Sequence, residues 1–131
     1  DTAAANALDD YEEGTWTPSL SSSSSRGGTW SSGLGFYTKV GNMVTLYFAI
    51  SGSGMYFSSE RGYQAITGLP FSATIPSGMH NYAGSWSGND VAMALGGTVY
   101  ANGTTAYFHA ANANWNTSGV DGIGACITYR T

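Results

Sequence analysis

Hydrophobic and polar positions alternate most clearly in the middle of the chain. Over residues 43–50, Val44, Leu46, Phe48 and Ile50 share one side of an extended backbone, while Met43, Thr45, Tyr47 and Ala49 share the other. Residues 36–40 precede them, and Gly41-Asn42 in between has the composition of a two-residue hairpin turn. The first side is wholly apolar and belongs in a core. The second carries Met43 and Tyr47 and is too apolar for open water, so another sheet or a subunit is expected to cover it.

The last strand, over 122–130, sets Ile123, Ala125, Ile127 and Tyr129 against Gly124, Cys126, Thr128 and Arg130. Before it, three short strands meander over 91–95, 98–101 and 104–110, with turns expected at Gly96-Gly97 and Asn102-Gly103. Further strands are expected at 29–32 (ended by Gly33 and Gly35), at 64–67 before the Gly68-Leu69-Pro70 turn, and at 80–87. Residues 71–75 read as a short edge segment. Glycine, serine and asparagine mark loops at 21–28, 51–62 and 112–119. With eight to ten strands and no helix, the pattern is that of an all-β, antiparallel β-sandwich.

The stretch around which the chain is organised is Leu8-Asp9-Asp10-Tyr11-Glu12-Glu13-Gly14-Thr15-Trp16-Thr17-Pro18. Thr15-Trp16-Thr17 favours extended backbone and Pro18 lacks a ladder donor, so an edge strand is expected. Asp-Asp-Tyr-Glu-Glu reads as a solvated acidic collar, and residues 1–14 as a neck or linker from an upstream region. The chain opens Asp-Thr-Ala-Ala-Ala without methionine, which is read as a piece of a longer protein or a processed product.

Composition narrows the choices. A chain of 131 residues makes one domain with a real core. Only 9 % of it is charged, low for a surface that must stay wet throughout, so part of that surface is expected to bind or to meet copies of itself. A net charge of −4, with Arg26, Lys39, Arg61 and Arg130 scattered, argues against a nucleic-acid partner. No apolar run approaches the roughly 20 residues of a bilayer span, so no membrane insertion is expected. One cysteine, Cys126, excludes an internal disulfide.

Catalytic chemistry finds little support. A glycosidase needs two carboxyl groups across one bond, and outside the collar only Glu60, Asp90 and Asp121 are present. His80 and His109 lack a nucleophile elbow around any serine, and with Cys126 they make a poor zinc set. Asp90 and Asp121 beside glycine and asparagine fit turn chemistry as well as calcium. The reading is a protein without enzymatic activity or cofactor.

Sugar binding asks for an aromatic face beside amide and hydroxyl groups. The loop Asn112-Ala113-Asn114-Trp115-Asn116-Thr117 offers both, so Trp115 with Asn112, Asn114 and Asn116 is the first candidate glycan site. Tyr56 is the second, and Trp86 with Asp90 the third. Trp16 and Trp30 read as packing residues.

The collar motif through Pro18, Tyr37-Thr38-Lys39-Val40-Gly41-Asn42-Met43-Val44, Ile66-Thr67-Gly68-Leu69-Pro70 and the terminal Ile127-Thr128-Tyr129-Arg130 occur in that order. Together they resemble the C-terminal domains of tail fibres and tailspikes of tailed bacteriophages. The resemblance implies a jelly-roll-like β-sandwich tip over residues 15–131, at the distal end of a homotrimer whose upstream part is a fibre shaft or β-helix. It also implies binding to bacterial surface polysaccharide during adsorption, and a place in the virion after assembly in the host cytoplasm. The rival expectations are a purely structural trimerisation cap and a glycan-cleaving depolymerase using Asp90 or Asp121. The anionic chain favours neutral sugars, or acidic ones met locally by Arg26 or Arg61.

Overall fold

The computed structural model describes residues 10–20, 29–55, 64–78, 82–89, 94–110 and 120–131. Among them the strands are β1 (Tyr11–Trp16), β2 (Ser19–Leu20), β3 (Thr29–Val40), β4 (Met43–Met55), β5 (Gln64–Thr67), β6 (Tyr82–Asn89), β7 (Ala94–Asn102), β8 (Thr105–Ala110) and β9 (Val120–Arg130). They form one antiparallel sheet in the order β1-β3-β4-β9-β6-β7-β8-β5-β2. The protein is all-β, and the described residues contain no helix, hence none long and apolar enough to cross a membrane.

The strand order forces the sheet to curl. β1 and β2 are its two edges, yet only Thr17 and Pro18 separate them in the chain. Trp16 to Ser19 is three Cα steps, at most about 11 Å. Nine strands laid flat would hold their edges roughly 38 Å apart at the usual ladder spacing. The aromatic core makes the same point from inside. Phe48 on β4 and Phe108 on β8 lie four ladder steps apart, yet their rings meet edge to face with centroids 6.0 Å apart. Trp16 joins them, its ring 5.5 Å from that of Phe48.

The core follows the alternation. Val44, Leu46, Phe48 and Ile50 are each at most 1 % exposed, and Ile123, Ala125, Ile127 and Tyr129 at most 5 %. Val99, Ala101, Ala106 and Phe108 close the cluster from β7 and β8, and Ile66 from β5. The expected Gly41-Asn42 turn joins β3 to β4, with Val40 opposite Met43 and Gly41 at φ 58° as the first turn position. The β7–β8 hairpin pairs Asn102 with Thr105, so its turn residues are Gly103 (φ 57°) and Thr104, one position later than the expected Asn102-Gly103.

Several expected boundaries move. Gly33 and Gly35 do not break the chain, because β3 runs unbroken from Thr29 to Val40, with one register shift between Trp30 and Ser32. β4 continues past Ile50 to Met55, into what reads as loop. Gly96 and Gly97 make no turn: they pair with Ser87 and Trp86 inside β7, since glycine accepts extended backbone as readily as a turn. The strand expected at 80–87 is β6, Tyr82–Asn89. Residues 11–14, placed in the neck by the sequence, are ladder residues of β1.

Residues 71–75 are not an edge strand. Their only ladder contact is a bridge between Ala73 and Gly103. The segment crosses an end of the curled sheet: Thr74 N–H donates to the Arg130 carbonyl at 2.7 Å, and Tyr129 O–H donates to the Phe71 carbonyl at 2.8 Å. Phe71 packs edge to face on Tyr37 with centroids 5.1 Å apart, and Lys39 Nζ sits 5.7 Å from the Phe71 ring centre.

Candidate functional site

Ladder register assembles the outer surface from the residues that the core rejects. Tyr11 lies opposite Val40, Val40 opposite Met43, and Phe36 opposite Tyr47. With Leu34, these are the exposed large hydrophobic residues among those described: Tyr11 50 %, Leu34 53 %, Phe36 51 %, Val40 54 %, Met43 44 % and Tyr47 65 %. All six alternate with buried or inward positions, so they share one outer face on β1, β3 and β4. A polar row of Glu13, Thr38, Thr45 and Thr128 crosses that face, where Thr45 and Thr128 hydroxyls lie 3.1 Å apart.

Next to this face, across β9, lies an open groove. Tyr47 pairs with Cys126, and Cys126 pairs with Ser85; one row along, Ala49 pairs with Gly124 and Gly124 with Ser87. Tyr47, Ser85, Ser87, Gly124, Ala125 and Cys126 enclose about 220 Å³. Gly124 is what opens it, since a side chain there would find nothing within 4 Å. The lining holds a phenol, two hydroxyls and a half-buried thiol, and no charged side chain.

The acidic collar has a definite geometry. Glu12 and Glu13 are neighbours in β1 and therefore point to opposite faces, so they cannot flank one glycosidic bond. Each is tied to a tyrosine: Tyr37 O–H donates to Glu12 Oε1 at 2.9 Å, and Tyr11 O–H to Glu13 Oε2. These bonds hold both phenols above their ordinary pKa, because losing the proton would set a phenolate against a carboxylate. At the hairpin end, with the Asn42 amide oxygen turned to Arg130, that oxygen accepts from Nε at 2.7 Å and Nη2 at 2.6 Å.

Of the candidates read from the sequence, Tyr56, Asp90, Asn112, Asn114, Trp115 and Asn116 lie outside the described residues, as do Glu60 and His80. Trp86 sits in the middle of β6, in register with Gly97 and the buried Ala125, and not at a strand end. Asp121 and His109 are strand positions of β9 and β8, where loop and strand respectively were expected. Among the described residues no three of His, Cys, Asp and Glu gather as a metal site would require. Trp16 is core, as expected.

Sequence reasoning missed the groove. Its signals were the Ser85-Trp86-Ser87 alternation and a glycine at 124 in a strand, but only the register brings them beside Tyr47. Compared with protein-family models, curated proteins and solved structures, the chain matches none.

Proposed function

We propose that this protein is a non-enzymatic tip domain of a phage tail fibre or tailspike, a homotrimer that binds host-surface glycan during adsorption. The observation that carries the reading is the outer face of β1, β3 and the start of β4, where Tyr11, Leu34, Phe36, Val40 and Met43 stand 44–54 % exposed. A soluble monomer seldom leaves such a cluster in water, and closed homo-oligomers are the commonest way to cover one. The sequence resemblance supplies the trimer, the fibre and the jelly-roll-like sandwich as the finer description of the curled sheet. The mechanism is avidity: three weak sites on one axis raise the effective concentration without any new contact. The domain acts on the virion, at the end of an upstream shaft or β-helix.

The test is the mass of the domain in solution, measured with its binding to an array of bacterial surface glycans, with Trp115→Ala beside the wild type. A trimer that binds glycan supports the reading. A monomer at micromolar concentration overturns it, and a trimer that binds nothing leaves a structural cap. Release of reducing ends from host polysaccharide would make the protein a depolymerase.

A further inference from the structure

The geometry points to the groove between Tyr47 and the Ser85/Ser87 edge of β6 as a subsite for one uncharged pyranose ring. The inference rests on the glycan-binding reading and gives it a place among the described residues.

Three features argue for this ligand class. Tyr47 is the most exposed large hydrophobic residue among those described, at 65 %, and stands as an aromatic wall against which the C–H face of a sugar can lie. Ser85 and Ser87 are exposed alternate residues of β6, so both hydroxyls reach the same side and can each donate or accept. Two such groups suit the alternating hydroxyls of a sugar edge. Gly124 leaves the floor bare between wall and edge, and the backbone there accepts a side chain without a clash. The missing side chain thus creates the volume.

Charge decides against other ligands. None of the six lining residues is Asp, Glu, Lys, Arg or His, so a phosphate, carboxylate or ammonium group would be desolvated there without a counter-charge. An apolar ligand would leave both serines facing it unpaired. A neutral ring with one apolar face and a hydroxyl edge matches both sides of the groove. At about 220 Å³ and open to solvent, the groove takes one ring of a longer chain and leaves its neighbours outside. It lies on the β9 side of Tyr47, while the exposed Leu34 and Phe36 lie on the β3 side, so subunit contact through β3 leaves the groove accessible.

The test is NMR titration of the isotope-labelled protein with maltotriose, cellotriose, chitotriose, lactose and mannotriose, each at millimolar concentration. Amide shifts at Tyr47, Ser85, Ser87, Gly124 and Cys126 are expected with at least one of these probes. Tyr47→Ala should weaken that binding about tenfold or more, equivalent to about 1.4 kcal/mol. Gly124→Val should abolish it by filling the floor, with thermal stability and oligomeric mass expected to hold because a Cβ at this position has no atom within 4 Å. Saccharide binding that survives both substitutions but is lost in Trp115→Ala overturns the groove and leaves the proposed function standing. No binding by the wild type to these probes or to the bacterial glycan array overturns both.

Discussion

Trp16 stands opposite Gly35 across the β1–β3 ladder, and its indole occupies the space that a side chain at position 35 would need. A Cβ there would overlap the ring, with Cδ1 only 2.7 Å away. The neighbouring inward pair repeats the arrangement, since Tyr37 covers Gly14. Gly35→Ala should therefore destabilise the fold by about 1–3 kcal/mol, the usual cost of overpacking. Gly124→Ala, with open space around it, should stay within about 0.5 kcal/mol of wild type. Urea denaturation of the two variants checks this; equal midpoints would mean that Trp16 does not need the gap.

Trp16 Nε1 is buried and has no hydrogen-bond partner among the described residues. That N–H bears its desolvation cost unrelieved, so Trp16→Phe removes ring area and a penalty together. The expected loss is below about 1.5 kcal/mol, whereas Trp16→Ala should lose about 3–5 kcal/mol through the cavity it leaves. Chemical denaturation of both separates ring packing from the polar atom. A Phe variant as damaged as the Ala variant would show that the N–H is partnered after all.

How far the sequence foretold this structure depends on the range of the interaction. The β4 face over 43–50 and the β9 face over 122–130 were legible residue by residue, because period-two alternation is local and the inward sets Val44, Leu46, Phe48, Ile50 and Ile123, Ala125, Ile127, Tyr129 are hydrophobic. The Gly41-Asn42 turn was legible for the same reason. Gly33, Gly35, Gly96 and Gly97 misled, since glycine marks turns and close ladder contacts alike, and here Gly35 is bare because Trp16 lies over it. The curl was hidden because it depends on two strands adjacent in sequence reaching opposite edges. The Tyr47 groove was hidden likewise: its residues come from β4, β6 and β9, joined only by register.

Tyr129 is fully buried and ties β9 to the crossing segment through the Phe71 carbonyl. Burial pushes its phenol up to about 12 from the ordinary value of 10.0. The folded state therefore holds this proton more tightly than the unfolded chain. Its contribution to stability is complete below pH 10 and is lost as pH rises from about 10 to 12. Tyr129→Phe should cost about 0.5–1.5 kcal/mol at neutral pH, through the lost hydrogen bond, and flatten the alkaline decline. Stability measured against pH for both proteins tests this. A variant with an unchanged alkaline slope would assign the decline to other tyrosines.

Phe36 and Leu34 are the sharpest probes of the outer face, because both are about half exposed and neither belongs to the core cluster. In an isolated domain, Leu34→Ser with Phe36→Ser should change little, within about 0.5 kcal/mol per surface site, with some loss of strand preference at Phe36. In a trimer that buries this face, the same pair removes two hydrophobic anchors from each subunit. The wild type should then show a melting temperature that rises with protein concentration, since assembly stabilises by mass action. The double variant should sediment as a monomer, keep its strand-rich circular dichroism, and melt at a temperature independent of concentration. Glycan binding should fall with the trimer even though the Tyr47 groove is untouched, because avidity is lost while each site survives. A double variant that remains trimeric would move the interface off β3, and one that binds glycan as a monomer with undiminished strength would remove avidity from the mechanism.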